Sequence, residues 1–349
     1  MGGSWNNEED ELVKPIRLLR DVVLADDLGG VRKVCADHPE LCSERGVFLP
    51  FHTAARKGYG DIVTFFLDRG VDPDVAGRYG KESDYNDVLR ALHWAAGDGH
   101  ADVVKLLLER GADVHGKNRY LTPLQYAARR RRPEMVKLLL GHGARMDVLV
   151  AAALGLKDRV AASLDVDLSL ANARDEFHTT PLHLAAEQWR LEVVTFLFAR
   201  GADVRAVDRR SNSVLHYAAH YWQWGGQEDT DVVGDEALQQ RIMEALIVHG
   251  ADANAADWNG VTPLHRACRF GYSGIVKVLL EHGADVDARD VTGATPLRRA
   301  VKNAGMDLVA LLIQRGAGVN ARDKKGVSIL KAARGKEMKA FLRQHGAKE

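Results

Sequence analysis

Thr262-Pro263-Leu264-His265-Arg266-Ala267 is followed, 33 residues on, by Thr295-Pro296-Leu297-Arg298-Arg299-Ala300. The same phrase stands earlier as Thr180-Pro181-Leu182-His183-Leu184-Ala185 and as Thr122-Pro123-Leu124-Gln125-Tyr126-Ala127. Weaker copies are Leu49-Pro50-Phe51-His52-Thr53-Ala54, Arg90-Ala91-Leu92-His93-Trp94-Ala95 and Ser213-Val214-Leu215-His216-Tyr217-Ala218. The leucine positions set the register: 182 to 215, 264 to 297 and 297 to 330 are each 33 residues. A period of that length means one supersecondary unit used many times. Such a unit cannot bury its apolar face alone and must stack on its neighbours.

Each part of the phrase has a physical reading. Thr caps a helix N-terminus, and Pro suits the first helical turn. Leu and the small Ala residues face inward and let neighbouring helices approach. A second helix follows with apolar residues at helical spacing, as in Val103, Val104, Leu106, Leu107 and Leu108. It stops at a glycine suited to the left-handed conformation: Gly70, Gly111, Gly143, Gly201, Gly250, Gly283, Gly316 and Gly346. A polar turn such as Ala284-Asp285-Val286-Asp287-Ala288-Arg289-Asp290 leads into the next copy.

These phrases at this period resemble the ankyrin-repeat family over roughly residues 48 to 349. The resemblance implies an all-α solenoid of stacked helix pairs with hairpin-like loops along one edge. Residues 1–47 lack the phrase and are expected to form a helical cap or a diverged first repeat. The last copy, Ser328-Ile329-Leu330-Lys331-Ala332-Ala333, runs into what reads as a shortened basic second helix with a solvated outer face.

Three stretches break the pattern. Residues 147–177 lose Thr-Pro, the histidine and the glycine stop, and read as a truncated repeat or a joint between two sub-stacks. Insertions lengthen the array near 80–89, at the hairpin edge, and near 222–238, between two helices of one repeat. The second begins Tyr221-Trp222-Gln223-Trp224 and continues into an acidic run. One reading is a tolerated surface loop; the other is a segment packed on a groove or partner through its tryptophans.

Lys+Arg and Asp+Glu both number 48, so the net charge is zero. Whole-chain charge therefore points neither to nucleic acid nor to an anionic membrane. The longest uncharged apolar run, Val148 to Leu156, falls far short of the roughly 20 residues of a membrane span. The N-terminus lacks a signal-peptide layout, so a cytoplasmic or nuclear address is expected. In that compartment Cys35 and Cys42 are expected to stay reduced, and Cys268 reads as a small buried filler.

His52, His93, His183, His216 and His265 recur as part of the phrase. The resemblance implies that each bonds backbone of a neighbouring loop. Successive copies lie one helix-packing distance apart, about 8–10 Å, too far to share a metal ion at about 2 Å per ligand. Gln125, Leu149, Arg298 and Lys331 replace the histidine, so those junctions must be tied differently. Asp113, Asp203, Asp252 and Asp285 follow Gly-Ala and read as turn residues. No catalytic, metal or cofactor motif is legible, so no cofactor and no metal are expected.

The resemblance places the residues after the Ala pair on a concave face. Candidate partner-binding residues there are Arg56, Lys57, Arg129, Arg130, Gln188, Trp189, His220, Tyr221, Arg269 and Phe270, with Trp222 and Trp224 of the insertion. Tip candidates include Arg209, Arg210, Trp258 and Arg289. This face is basic and aromatic although the chain is neutral, and Arg, Trp and Tyr are enriched at interface hot spots. The expected function is a protein–protein interaction module that takes an acidic, phosphorylated or mixed acidic–apolar segment. The expected partner is a protein, not a membrane or nucleic acid, and the chain alone is expected to be monomeric. The alternative is an enzyme acting on an anionic small molecule in a pocket near the 221–238 insertion.

Overall fold

The computed structural model describes residues 8–42, 44–75, 77–78, 88–117, 121–219, 236–303 and 305–349. They fall into two compact units, Met1–Asp147 and Val148–Glu349.

In the first unit α1 (Glu8–Leu24) and α2 (Leu28–Asp37) pack as a pair. Three further pairs follow: α3 (Glu44–Lys57) with α4 (Gly60–Asp68), α5 (Ala91–Asp98) with α6 (Ala101–Glu109), and α7 (Pro123–Arg129) with α8 (Pro133–Gly141). The inner helices α3, α5 and α7 stack in order, and so do the outer helices α4, α6 and α8. Helix α3 begins upstream of the phrase and carries Pro50 in its interior, where the sequence pattern had placed a helix start. Among the described residues the fold is all-α apart from one short ladder, β1 (Gly77–Arg78) paired antiparallel with β2 (Val88–Leu89), and the isolated bridges Val207–Ser213 and Arg322–Ser328. The ladder closes the hairpin that carries the first insertion; residues 79–87 lie outside the described residues.

The second unit pairs α9 (Val148–Leu154) with α10 (Lys157–Val166), α11 (Pro181–Glu187) with α12 (Leu191–Ala199), and α13 (Val214–Ala218) with α14 (Glu236–Val248). It continues with α15 (Pro263–Phe270) and α16 (Ser273–Glu281), α17 (Pro296–Asn303) and α18 (Met306–Gln314), and α19 (Ile329–Ala332) and α20 (Lys336–Gln344). The end of the second insertion is helical: Glu236, Ala237 and Leu238 form the first turn of α14, which has 13 residues. The final outer helix is not shortened: α20 has nine residues, as α16 and α18 do. Its inner partner α19, with four residues, is the short one.

The supposed truncated repeat has both helices. What is missing is the hairpin before it: six residues separate α8 from α9, whereas fourteen separate α10 from α11. Its second helix needs no glycine stop. A 3-10 turn at Leu168–Asn172 continues the chain, and Asp167 accepts from Ser169 N at 2.9 Å.

Capping works as the phrase implies. Thr122, Thr180 and Thr262 accept from the backbone N–H three residues on, and a proline follows each. All eight glycine stops have φ between 79° and 99°. Leu182, Leu215, Leu264 and Leu297 are fully buried. Leu264→Ala should therefore cost about 3 kcal/mol through a residual cavity, against about 1 kcal/mol for loss of the Thr262 cap in Thr262→Ala. Denaturant melts giving equal losses would contradict this assignment of cap and core.

Cys268 is free and buried, as expected, and burial pushes its thiol pKa up. Cys35 departs from expectation: it is buried on α2 and disulfide-bonded. The helix brings it to the turn at Pro39–Cys42, a closeness that compartment arguments do not address. Among the described residues no helix is long and apolar enough to cross a membrane.

Candidate functional site

The hairpins of the second unit are built on one aspartate each. Oδ1 of Asp175, Asp208, Asp257, Asp290 and Asp323 accepts two backbone N–H groups, from residues two and four positions on, at 2.8–3.0 Å. A carboxylate closing its own turn in this way fixes the finger without a long strand pair.

Neighbouring fingers are joined by one backbone bond per step. Arg209 N donates to Phe177 O at 2.9 Å, Trp258 N to Arg210 O at 3.0 Å, Val291 N to Asn259 O at 2.8 Å, and Lys324 N to Thr292 O at 2.9 Å. The approach is close enough that a Cβ on Gly293, whose φ is +77°, would lie 2.9 Å from Lys324 N. The fingers thus form a continuous rail.

The second carboxylate oxygen faces the inner helices. Asp257 takes Arg266 Nη2 at 3.2 Å, and Asp290 takes Arg299 Nη2 at 2.5 Å. Tyr217 Oη donates to Asp208 Oδ2 at 3.0 Å, and Arg298 Nη2 to Asp323 Oδ2 at 2.7 Å. These pairs were missed from the sequence, although a signal exists: Tyr217, Arg266 and Arg299 each stand nine residues after their aspartate.

The histidines do what the resemblance implied. Nε2 of His52 lies 3.0 Å from Val75 O, of His93 2.9 Å from Leu121 O, of His216 2.8 Å from Val261 O, and of His265 2.9 Å from Ala294 O. His183 makes a longer contact, 3.3 Å, to Asn212 O. Burial pushes His93 down to about 4 and His216 down to about 3, and lowers His265 as well. Where the histidine is absent the junction changes as expected. Gln125 Nε2 donates to Asp147 at 2.9 Å, and Arg298 pairs with Asp323. No metal-capable cluster occurs among the described residues.

Between the fingers and the end of α15 lies a groove of about 520 Å³, lined by Arg210, Trp258, Val291, Arg269, Phe270 and the floor residues above. Its apolar side chains face solvent: Trp258 is 58% exposed, Val291 50% and Phe270 36%. Arg210 lies over the Trp258 ring at 5.2 Å, and Arg269 over Phe270 at 5.5 Å.

The expected partner-binding residues divide sharply against this geometry. Arg269 and Phe270 line the groove, as do the tip candidates Arg210 and Trp258. Gln188 and Trp189 do not offer an exposed anchor: they are 3% and 6% exposed. Trp189 has φ 56°, at the turn where Gly58, Gly99, Gly155 and Gly271 stand in other repeats, and its indole N–H donates to Ala218 O at 3.4 Å. That left-handed turn folds the side chain back onto the stack. In the first unit Arg130 is not a free cation: it pairs with Asp98 and reaches Tyr126 Oη at 3.2 Å. Arg56 lies 3.5 Å from the same Asp98 and 4.8 Å over the Trp94 ring. Arg132 donates to Gly97 O at 3.1 Å. Lys57 is exposed and Arg129 half-buried. His220, Tyr221, Trp222 and Trp224 lie outside the described residues, and with them most of the loop that the enzyme alternative requires.

Family models for ankyrin repeats match residues 51–150 and 236–343 in one case and 168–218 in another. The B-cell lymphoma 3 protein homolog of Mus musculus is 31% identical over 177 residues, 47% of this chain and 36% of the relative. NF-kappa-B inhibitor alpha of Homo sapiens is 33% identical over 112 residues, 32% of each chain. The nuclear factor NF-kappa-B p105 subunit of Gallus gallus is 47% identical over 51 residues, 15% of this chain and 5% of the relative. The chain thus spans about a third or less of the length of these relatives.

Proposed function

Because the chain belongs to the ankyrin-repeat family, we propose that it acts by holding a protein partner, and that the partner presents an acidic or mixed acidic–apolar segment to a basic, aromatic face. The family's repeats make a protein-interaction module the reading to start from. One relative is named as an inhibitor of NF-kappa-B, which is consistent with work done by binding. The observation that carries the finer reading is the groove of the second unit. Solvent-facing Trp258 and Phe270 stand there beside Arg210 and Arg269, and Arg269, unlike Arg56 and Arg130 in the first unit, pairs with no carboxylate among the described residues.

Charge and apolar contact have separable kinetic signatures. Replacing Arg210 and Arg269 by Glu should slow association and flatten its salt dependence, because charge steers encounter. Trp258→Ala should mainly speed dissociation, by an amount on the order of 2 kcal/mol for a hot spot. Both variants should keep their melting temperature within a few degrees, since these side chains project from the stack. The measurement is surface-plasmon kinetics on a captured partner at two ionic strengths. Unchanged rates with intact folding would move the interface off this groove.

A further inference from the structure

The hydrogen-bonding capacity left over in the groove is lopsided. Both floor carboxylates are engaged. Asp257 accepts from Asn259 N, Val261 N and Arg266. Asp290 accepts from Thr292 N, Thr292 Oγ1, Ala294 N and Arg299. The donors are not engaged to the same degree. Arg299 makes its side-chain bond through Nη2 alone, leaving Nε and Nη1. Arg269 is exposed, and among the described residues its guanidinium makes no hydrogen bond; it only overlies Phe270. Asp257 and Asp290 are paired with Arg266 and Arg299, so the positive charge of Arg269 is left over at the groove. His265 adds none at neutral pH, because burial keeps it neutral against the opposing pull of its bond to Ala294 O.

We propose that this groove is a site for a peptide segment in which a carboxylate side chain adjoins an aliphatic or aromatic one. The carboxylate engages Arg269, with the spare donors of Arg299 as second contact, and the apolar neighbour covers Trp258, Phe270 and Val291. A guanidinium offers two parallel N–H groups that match a carboxylate, and its backing ring holds it in place. The exposed ring area supplies the apolar part of the affinity. The two requirements select together: an acidic segment without an apolar neighbour leaves the rings wet, and an apolar segment without a carboxylate leaves the arginines without acceptors.

This assignment rests on the binding-module reading, and its test separates the two. The probe is a fluorescein-labelled dodecapeptide alternating glutamate with leucine or phenylalanine, followed by anisotropy on the full chain. Its amide twin carries glutamine at each acidic position, and a third peptide carries phosphoserine there. Expected are at least tenfold weaker binding of the twin, a comparable loss for Trp258→Ala, and a comparable loss of acidic-probe affinity for Arg269→Gln. Arg269→Gln should cost the twin nothing further. Neither residue is buried, and thermal melts check that both variants fold. The site is overturned if the acidic probe fails to bind the wild-type chain, if Arg269→Gln leaves its Kd unchanged, or if the phosphoserine peptide binds more than tenfold tighter. Should both variants still capture every protein that the wild-type chain captures, this site fails and the module reading stands. Should the acidic probe bind as described while no protein is captured, the module reading fails and the site stands.

Discussion

Acidification from pH 7 to pH 4 should cost on the order of 3 kcal/mol for each of His93 and His216, one in each unit, apart from any contribution of the carboxylates that titrate near its lower end. In the three histidines that follow a hydroxyl-bearing cap, Nδ1 faces a peptide N–H: that of Thr180, Ser213 or Thr262, at 3.1–3.3 Å. Nδ1 is then the acceptor, and Nε2–H donates to the next repeat. A proton added at Nδ1 would meet a donor, inside the core. Burial holds His93 at about 4 and His216 at about 3 in the folded chain, whereas the unfolded chain protonates both near 6.5. The unfolded state binds more protons throughout that window. Stability is fully present above pH 6.5, is lost as pH falls, and levels off below the folded-state values. Urea melts at pH 7.0, 5.5 and 4.5 measure this, and His216→Gln should flatten the slope for the second unit. A stability that is level down to pH 4.5 would show that these histidines are not held neutral.

Trp189→Ala should destabilise the second unit by about 4 kcal/mol, as expected for removal of a large buried ring. The substitution also leaves the indole bond to Ala218 O unmade. It does not relieve the backbone, because alanine at φ 56° is still left-handed. Trp189→Gly loses the same ring but is at ease at that φ, so it should be about 1 kcal/mol less damaging than Trp189→Ala. In helix interiors the order is reversed, which makes the comparison diagnostic. Melts of the two variants decide it; a lower stability for the glycine variant would mean that the turn opens when the ring is gone.

The fold was legible because its signals are local. A Thr-Pro cap, an inward Leu and a glycine stop act within a few residues, and each recurs 33 residues later. The histidine ties were legible through their periodicity, and so was the change of partner at Gln125 and Arg298. The site was less so. Counting two or three residues past the Ala pair treats Arg130 and Trp189 as outward-facing helix positions. Trp189 is a left-handed turn residue, and Arg130 finds Asp98 a full repeat away. Pairings of that kind depend on which side chain the neighbouring repeat happens to offer, and no periodicity marks them. The shortfall before α9 was visible as a number, but a missing hairpin and a missing half-helix give the same count.

The rail of finger-to-finger bonds has a mechanical consequence. From Phe177 to Lys324 each finger is joined to the next by one backbone hydrogen bond at the tip, beside a tie from a histidine or its substitute, side-chain bonds such as Asn254 Nδ2 to Gly283 O, and the packed helices below. Under tension along the chain such an assembly yields one link at a time, because each link bears the whole load and none shares it with a distant one. A repeat of 33 residues that lets go releases roughly 110 Å of slack. Pulled at its ends, the second unit should therefore lengthen in discrete steps of that size, which single-molecule force spectroscopy measures.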